Sequence, residues 1–288
     1  ASRAHQENLI PVVHEALSTA GISKKDLAAI AVTRGPGLMG SLLVGVSFAK
    51  AFAKSLDIPL IDVNHMQAHV LAHFISEPRP KFPFICLTVS GGHTQLVLVK
   101  DHLTMEVIGE TQDDAVGEAF DKTAKLLGLP YPGGPLLDRH AKEGNPKAFT
   151  FPVTRMPGLN YSFSGIKTAV LYFLRDRLAE NPNFIAENLA DLCASIQYTL
   201  VEMLLIKLKV AMKEYGITEV AIAGGVSANS GLRTTLSALS LRKGWTLYVP
   251  EFEYCTDNAG MIAMAAHFKY LRGEFVGYDI TPLAKMKF

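Results

Sequence analysis

Phe84-Ile85-Cys86-Leu87-Thr88-Val89-Ser90-Gly91-Gly92-His93-Thr94-Gln95-Leu96-Val97-Leu98-Val99 is two apolar runs hinged on a Ser-Gly-Gly-His turn. Each run has the length and composition of a strand, and the hinge suits a type I′ or II′ hairpin. Met105 to Gly109 reads as a third strand, so residues 84–109 form an antiparallel meander that opens a domain. The same hinge has a second reading, a backbone cradle for a phosphate or a carbonyl oxygen, with His93 beside it.

Outward from the meander, period and punctuation mark the other elements. Downstream, a helix is expected from Gly117 to Leu127, then the rigid loop Leu129-Pro130-Tyr131-Pro132-Gly133-Gly134-Pro135 and a short helix containing Asp138. Residues 144–163 read as loop, with helices at about 164–178 and 184–214. Thr218 to Ala223 is a strand that Gly224-Gly225-Val226-Ser227-Ala228-Asn229 turns into a helix. Trp245 to Val249 is another strand, and Cys255-Thr256-Asp257-Asn258 precedes a helix over 258–271. Upstream, a helix over 3–19 carries Ile10, Val13 and Leu17 on its apolar face. A strand over 28–33 runs through Arg34-Gly35-Pro36-Gly37 into a helix ending near Leu56. Pro59 to Val63 is a strand that delivers the chain to a helix beginning at His65. Glu77-Pro78-Arg79-Pro80 is the boundary between two α/β domains flanking a cleft. Met39, Met66, Met105, Met156 and the apolar stripe over 201–212 read as core.

Composition narrows the class. The chain has 288 residues, 49% of them hydrophobic, and a formal charge of +1, which fits a globular protein and excludes a disordered one. Three cysteines, Cys86, Cys193 and Cys255, lack C-x-x-C spacing and read as buried thiols of a reducing compartment. No run of about 18 apolar residues is free of charge, so no transmembrane helix is expected. No signal peptide opens the chain. It starts without Met inside a helical pattern, and a preceding N-terminal segment is expected.

His65-Met66-Gln67-Ala68-His69 places two imidazoles one helical turn apart on one face, a spacing at which both can ligate one metal ion. The zinc-protease motif of this spacing needs a glutamate between its histidines as general base. Met66 and Gln67 stand there instead. Asp257 is a candidate third ligand, although on sequence alone capping the 258–271 helix is the favoured explanation. Two histidines and a carboxylate leave open positions for a substrate oxygen and suit iron or zinc. Asp113, Asp114 and Glu118 cluster at a helix start, where the dipole favours acids. Asp121 lies a turn further in and can accept from a ribose hydroxyl, with Gly133-Gly134 allowing a sugar close. Gly224 to Asn229 resembles a nucleotide-binding turn in which Asn229 can bond base or ribose. Lys122, Lys125, Lys167, Arg233, Arg242 and Lys243 are scattered and make a nucleic-acid patch only if the fold gathers them.

Together, LTVSGGHTQLVL (87–98), EAFDKTAKLLGLPYPGGP (118–135), YSFSGIKT (161–168), GGVSAN (224–229) and CTDNA (255–259) resemble the bacterial TsaD family over essentially the whole chain. That resemblance implies an α/β protein of the actin-like ATPase/sugar-kinase (ASKHA) fold, two related α/β domains around a cleft. Residues 1–78 with 258–288 would form the first domain, lacking its N-terminal strands, and 79–257 the second. It implies a metal held by His65, His69 and Asp257, with iron(II) the expected divalent ion and zinc(II) the alternative. It places an adenylate or ATP-type ligand on Thr88, Val89, Ser90, Gly91, Gly92, Asp121, Gly134, Asp138 and Asn229. The implied activity is transfer of threonylcarbamoyl from threonylcarbamoyl-AMP to N6 of the adenosine at position 37 of tRNAs reading ANN codons. The implied partners are tRNA, a TsaB-like paralogue and a TsaE-like ATPase, in the cytoplasm and without a membrane. No general base is identifiable. The rival readings are a metalloprotease, disfavoured by Met66 and Gln67, and a non-catalytic nucleotide-binding assembly subunit.

Overall fold

A computed structural model describes residues 2–288 of the chain. They fold as two compact units, one running to Glu77 and resuming at Asn258–Phe288, the other comprising Pro78–Asp257.

In the second unit, β3 (Phe84–Val89) is buried along its whole length, the signature of a central strand. It pairs antiparallel with β4 (Thr94–Val99), Val89 opposite Thr94, and β4 pairs antiparallel with β5 (Met105–Glu110). On its other edge β3 takes β6 (Glu219–Ala223) in parallel, and β6 takes β7 (Thr246–Tyr248) in parallel. The sheet order is therefore β5-β4-β3-β6-β7. α4 (Val116–Leu126), α5 (Gly133–Ala141), α6 (Ser164–Glu180), α7 (Phe184–Tyr215) and α8 (Ser230–Lys243) accompany it. α7 carries the largest share of the core, burying Leu192, Ile196, Leu200, Leu204 and Leu208 completely.

In the first unit, α1 (Ser2–Ala20) lies against α2 (Met39–Leu56), and α2 against the parallel pair of β1 (Ile30–Gly35) and β2 (Leu60–Asn64). α3 (His65–Leu71) follows β2 without a break and tightens into a 3-10 turn at Ala72–Phe74. α10 (Ala259–Leu271) packs on α3, with Phe74 and Phe268 edge to face at 5.7 Å between ring centres. The tail after α10 laces the strands. Val276 N donates to Leu60 O (2.9 Å), Leu283 N to Arg34 O (2.8 Å) and Gly37 N to Ala284 O (3.2 Å).

Several sequence expectations need correction. Ile10 is 66% exposed, and α1 turns Leu9, Val13 and Leu17 inward. Met39 is exposed, as are Ile206 and Val210 within the expected 201–212 core stripe. Two helices, α2 and α7, are long and apolar enough to cross a membrane by length and composition. α7 buries most of that surface in the core of its own unit, as a central helix must. α2 is interrupted by Lys50 and Lys54 and covers β1. A four-residue helix, α9 (Phe252–Cys255), lies where no element was expected. All three cysteines are buried and free, and burial pushes the Cys86 and Cys193 thiols up to about 12.

Candidate functional site

The metal candidates are built by two helix starts. Asn64 ends β2 in extended conformation and caps α3, its Oδ1 accepting from Met66 N (2.9 Å) and Gln67 N (3.2 Å). That cap starts the helix at His65 and sets His69 one turn on. The rings lie edge to face with centres 4.8 Å apart; His69 is buried and His65 half-buried. Asp257 is exposed and does not cap α10: the cap is Asn258, whose side chain accepts from Met261 N at 2.8 Å. The capping explanation for Asp257 is thereby removed. One ligand atom from each of His65, His69 and Asp257 lies within 4.8 Å of the others. Bonds of 2.0–2.2 Å to one ion place tetrahedral donors about 3.4 Å apart, a spacing inside that bound. Two imidazoles and a carboxylate are a donor set for a divalent ion with open positions, so the residues fit the group.

The other expected site residues all lie in the second unit. Ser90 N donates to His93 O (2.8 Å), closing the β3–β4 hairpin. Neither Gly91 nor Gly92 has the positive φ that a type I′ or II′ turn requires, so that expectation is corrected. The Ser90 hydroxyl does the work of the turn, accepting from His93 N (3.0 Å). The Ser90 carbonyl accepts instead from Gly117 N (3.3 Å), and Thr94 Oγ1 from Val116 N (2.8 Å), fastening the start of α4 beneath the turn. Nothing lies within 4 Å of where a Cβ on Gly91 or Gly92 would sit, and both are exposed. A phosphate-sized group therefore has access to this backbone. Thr88 and Val89 are fully buried, and the Thr88 hydroxyl points at Cys86 Sγ (3.7 Å).

Asp121 Oδ1 accepts from Gly133 N and Gly134 N, both at 2.9 Å, which anchors the first turn of α5. Gly133 is needed for packing, since a Cβ there would strike Ala124. Gly134 has only ordinary contacts. Asp138, further along α5, accepts from Ser230 N (3.1 Å) and Ser230 Oγ (2.7 Å), joining α5 to the head of α8. Asn229 caps α8, its Oδ1 accepting from Leu232 N (2.9 Å) while its Nδ2 donates to Gln197 Oε1 (2.7 Å). Gly224 turns β6 into this region with φ +86°, and a Cβ there would meet Val89 O, so residue 224 must be glycine on both counts. Asp121, Gly134, Asp138 and Asn229 are thus linked through α5 and α8 into one framework.

Sequence reasoning overlooked Gln197 and Ser230. A glutamine inside an apolar helix was the available signal for Gln197, which is buried. Two residues offered for a basic patch are used internally. Lys122 pairs with Asp114 (2.7 Å) and Glu118 (2.9 Å), and Arg233 bonds Ser227 O and Pro250 O. Asp113 was expected to serve the α4 start. Instead it accepts from Ser162 Oγ (2.5 Å), Phe163 N (2.7 Å) and Ser164 Oγ (2.8 Å) at the head of α6. Burial raises its carboxyl, but these hydrogen bonds together outweigh burial and hold it below its usual 3.8.

A family model described as TsaD, tRNA N6-adenosine threonylcarbamoyltransferase, matches residues 1–264. The protein of that name from Cytophaga hutchinsonii is 62% identical over 287 residues, covering 100% of this chain and 84% of its own length. Its counterpart in Christiangramia forsetii is 61% identical over 291 residues, covering 100% and 86%. Among solved structures, full-length HypF in its phosphate- and nucleotide-bound form matches 91% of this chain and 41% of its own, with a TM-score of 0.65 and 14% identity. Component A of the (R)-2-hydroxyglutaryl-CoA dehydratase of Acidaminococcus fermentans matches 90% and 82%, with a TM-score of 0.51 and 15% identity. At those identities the likeness is one of fold, the two-domain actin-like ATPase type.

Proposed function

The chain belongs to the TsaD family, the tRNA N6-adenosine threonylcarbamoyltransferases, and from that premise we propose how its residues serve the reaction. It transfers the threonylcarbamoyl group from threonylcarbamoyl-AMP to N6 of adenosine 37 in tRNAs reading ANN codons. The observation that carries this is 62% identity over the full chain to a curated enzyme of that name. The adenosine amine forms a C–N bond to the carbamoyl carbon, the C–O bond to the adenylate breaks, the amine gives up one proton, and AMP leaves.

A divalent ion held by His65, His69 and Asp257 would supply Lewis-acid polarisation of substrate oxygens. Iron(II) is our first assignment and zinc(II) the second. The open backbone of Gly91-Gly92 receives the phosphate and carbamoyl groups. Asp121, already fixed through Oδ1 by two amides, turns its second oxygen to the ribose. Gly134 admits the sugar, while Asp138 and Asn229 hold the α5 and α8 heads that flank the nucleoside. An exocyclic amine is a weak nucleophile, so positioning supplies much of the rate. No general base is assigned.

A TsaB-like paralogue and a TsaE-like ATPase are the partners we assign, in the cytoplasm where tRNA is modified. Exposed apolar side chains on the first unit, Ile10, Val12, Met39 and Leu43, support a protein partner there. A protease reading has no glutamate between the histidines to support it.

The test is transfer from threonylcarbamoyl-AMP to tRNA with partner proteins present, with and without chelator. Chelation and His65→Ala should each lower transfer at least about 100-fold, by the usual weight of a lost metal or electrostatic group. Full transfer by His65→Ala with metal present sinks the metal-assisted scheme. AMP binding without transfer under every condition would identify an assembly subunit instead.

A further inference from the structure

Arg233, in the first turn of α8, spends its donors on two loops. Its Nε donates to Ser227 O (2.7 Å), in the 3-10 turn Gly225–Ala228 that leads to Asn229. Its Nη2 donates to Pro250 O (2.9 Å) and lies 3.1 Å from Cys255 Sγ. The guanidinium covers the Phe252 ring at 4.1 Å, within cation–π range. Ser227 is fully buried, so the first anchor is rigid. The second anchor, Pro250 to Cys255, comprises α9 and ends two residues before Asp257. The acceptors are carbonyls and a thiol, groups that fix geometry instead of balancing charge. A planar fork can hold two such loops at once, which a lysine ammonium on a flexible stem cannot.

We propose that Arg233 is a positioning residue that ties the 224–229 nucleotide turn to the arm carrying Asp257, making metal binding and AMP binding interdependent. This rests on the reading of His65, His69 and Asp257 as the metal site. A ligand settling on Asn229 and its turn steadies Ser227, and through Arg233 steadies the arm that presents Asp257. By linkage, metal on Asp257 favours AMP by the same factor. Outer residues that orient a metal ligand typically affect affinity 10–100-fold.

The test uses the full chain with Zn2+, Co2+ and AMP as probes. Zn2+ affinity is measured by chelator competition, the ligand field by the Co2+ visible spectrum, and AMP affinity by calorimetry with and without Zn2+. Wild type should bind AMP more tightly with Zn2+ present. Arg233→Ala should weaken Zn2+ about 10-fold, change the Co2+ spectrum, and reduce the factor by which Zn2+ tightens AMP. Arg233→Lys keeps the charge and should still show the reduced factor, and it carries the test if the alanine variant does not fold. His69→Ala is the reference and should lose Zn2+ binding. If His69→Ala loses Zn2+ while both Arg233 variants match wild type in affinity and interdependence, the inference falls and the metal site stands. No interdependence in wild type also overturns it. If His69→Ala retains Zn2+, the metal site itself falls, and the inference with it.

Discussion

At the scale of single residues, two glycines around one turn have opposite duties. A Cβ on Gly117 would lie 2.6 Å from Ser90 O and 2.9 Å from the Gly91 backbone, and backbone cannot swing aside. Helix propensity alone favours alanine at such a position by about 1 kcal/mol, yet crowding of this kind costs about 1–3 kcal/mol. Gly117→Ala should therefore lower the urea midpoint and displace the turn. Gly92→Ala meets open space and no positive φ. It should leave the urea midpoint within error while weakening AMP in calorimetry, because the methyl occupies the face offered to phosphate. If both variants change stability alone, the turn is a hinge and nothing more.

At the scale of elements, the head of α6 depends on an acid fifty residues upstream. Asp113 meets Phe163 N, Ser164 N and two hydroxyls there, serving as a remote cap worth about 1 kcal/mol. Its carboxyl is held below 3.8 in the folded chain. The stability it contributes is therefore fully present above pH 3.8 and lost as pH falls through the lower folded value. Asp113→Asn should be less stable at pH 7 and lose less on acidification from pH 4.5 to pH 3, read from urea midpoints. This contact explains what the sequence could and could not disclose. The strands were legible because β3 and β4 are apolar runs with a visible hinge. The helices were legible by period, and the fold class followed from their order. The Asp113–Ser164 contact was not legible, because nothing local announces a partner so distant. The Ser90 turn was misjudged for a related reason. Two glycines suggested a primed turn, but the serine hydroxyl took the bond and released its carbonyl to Gly117. His65 and His69 were readable as a pair, since a helix fixes i and i+4. Asp257 could be read only as a candidate, because setting aside the cap requires knowing that Asn258 does the capping.

At the scale of the molecule, the first unit is closed by the far end of the chain. Asp62 on β2 is bridged by Arg34 (3.2 Å) and Lys269 (2.6 Å). Asn64, whose Oδ1 starts the metal-candidate helix, donates from Nδ2 to Lys287 O (2.7 Å). Deleting residues 276–288 removes that bond and the tail's bonds to Leu60, Arg34 and Gly37. Hydrogen exchange in β1, β2 and α3 should accelerate at least about 10-fold, as expected where local stability falls by more than 1.4 kcal/mol, while β3, β4 and β6 keep their protection. Unchanged exchange in β2 would mean the tail is only draped over the strands. The same arrangement sets an order of events at the ribosome. The second unit is one uninterrupted stretch and can fold as soon as it emerges. The first cannot finish until α10 and the tail arrive, after about ten to forty seconds of further synthesis at 5–20 residues per second. For most of that interval His65 and His69 are already made while Asp257 is not, so under the proposed metal site the nascent chain offers two imidazoles only and the carboxylate joins them late.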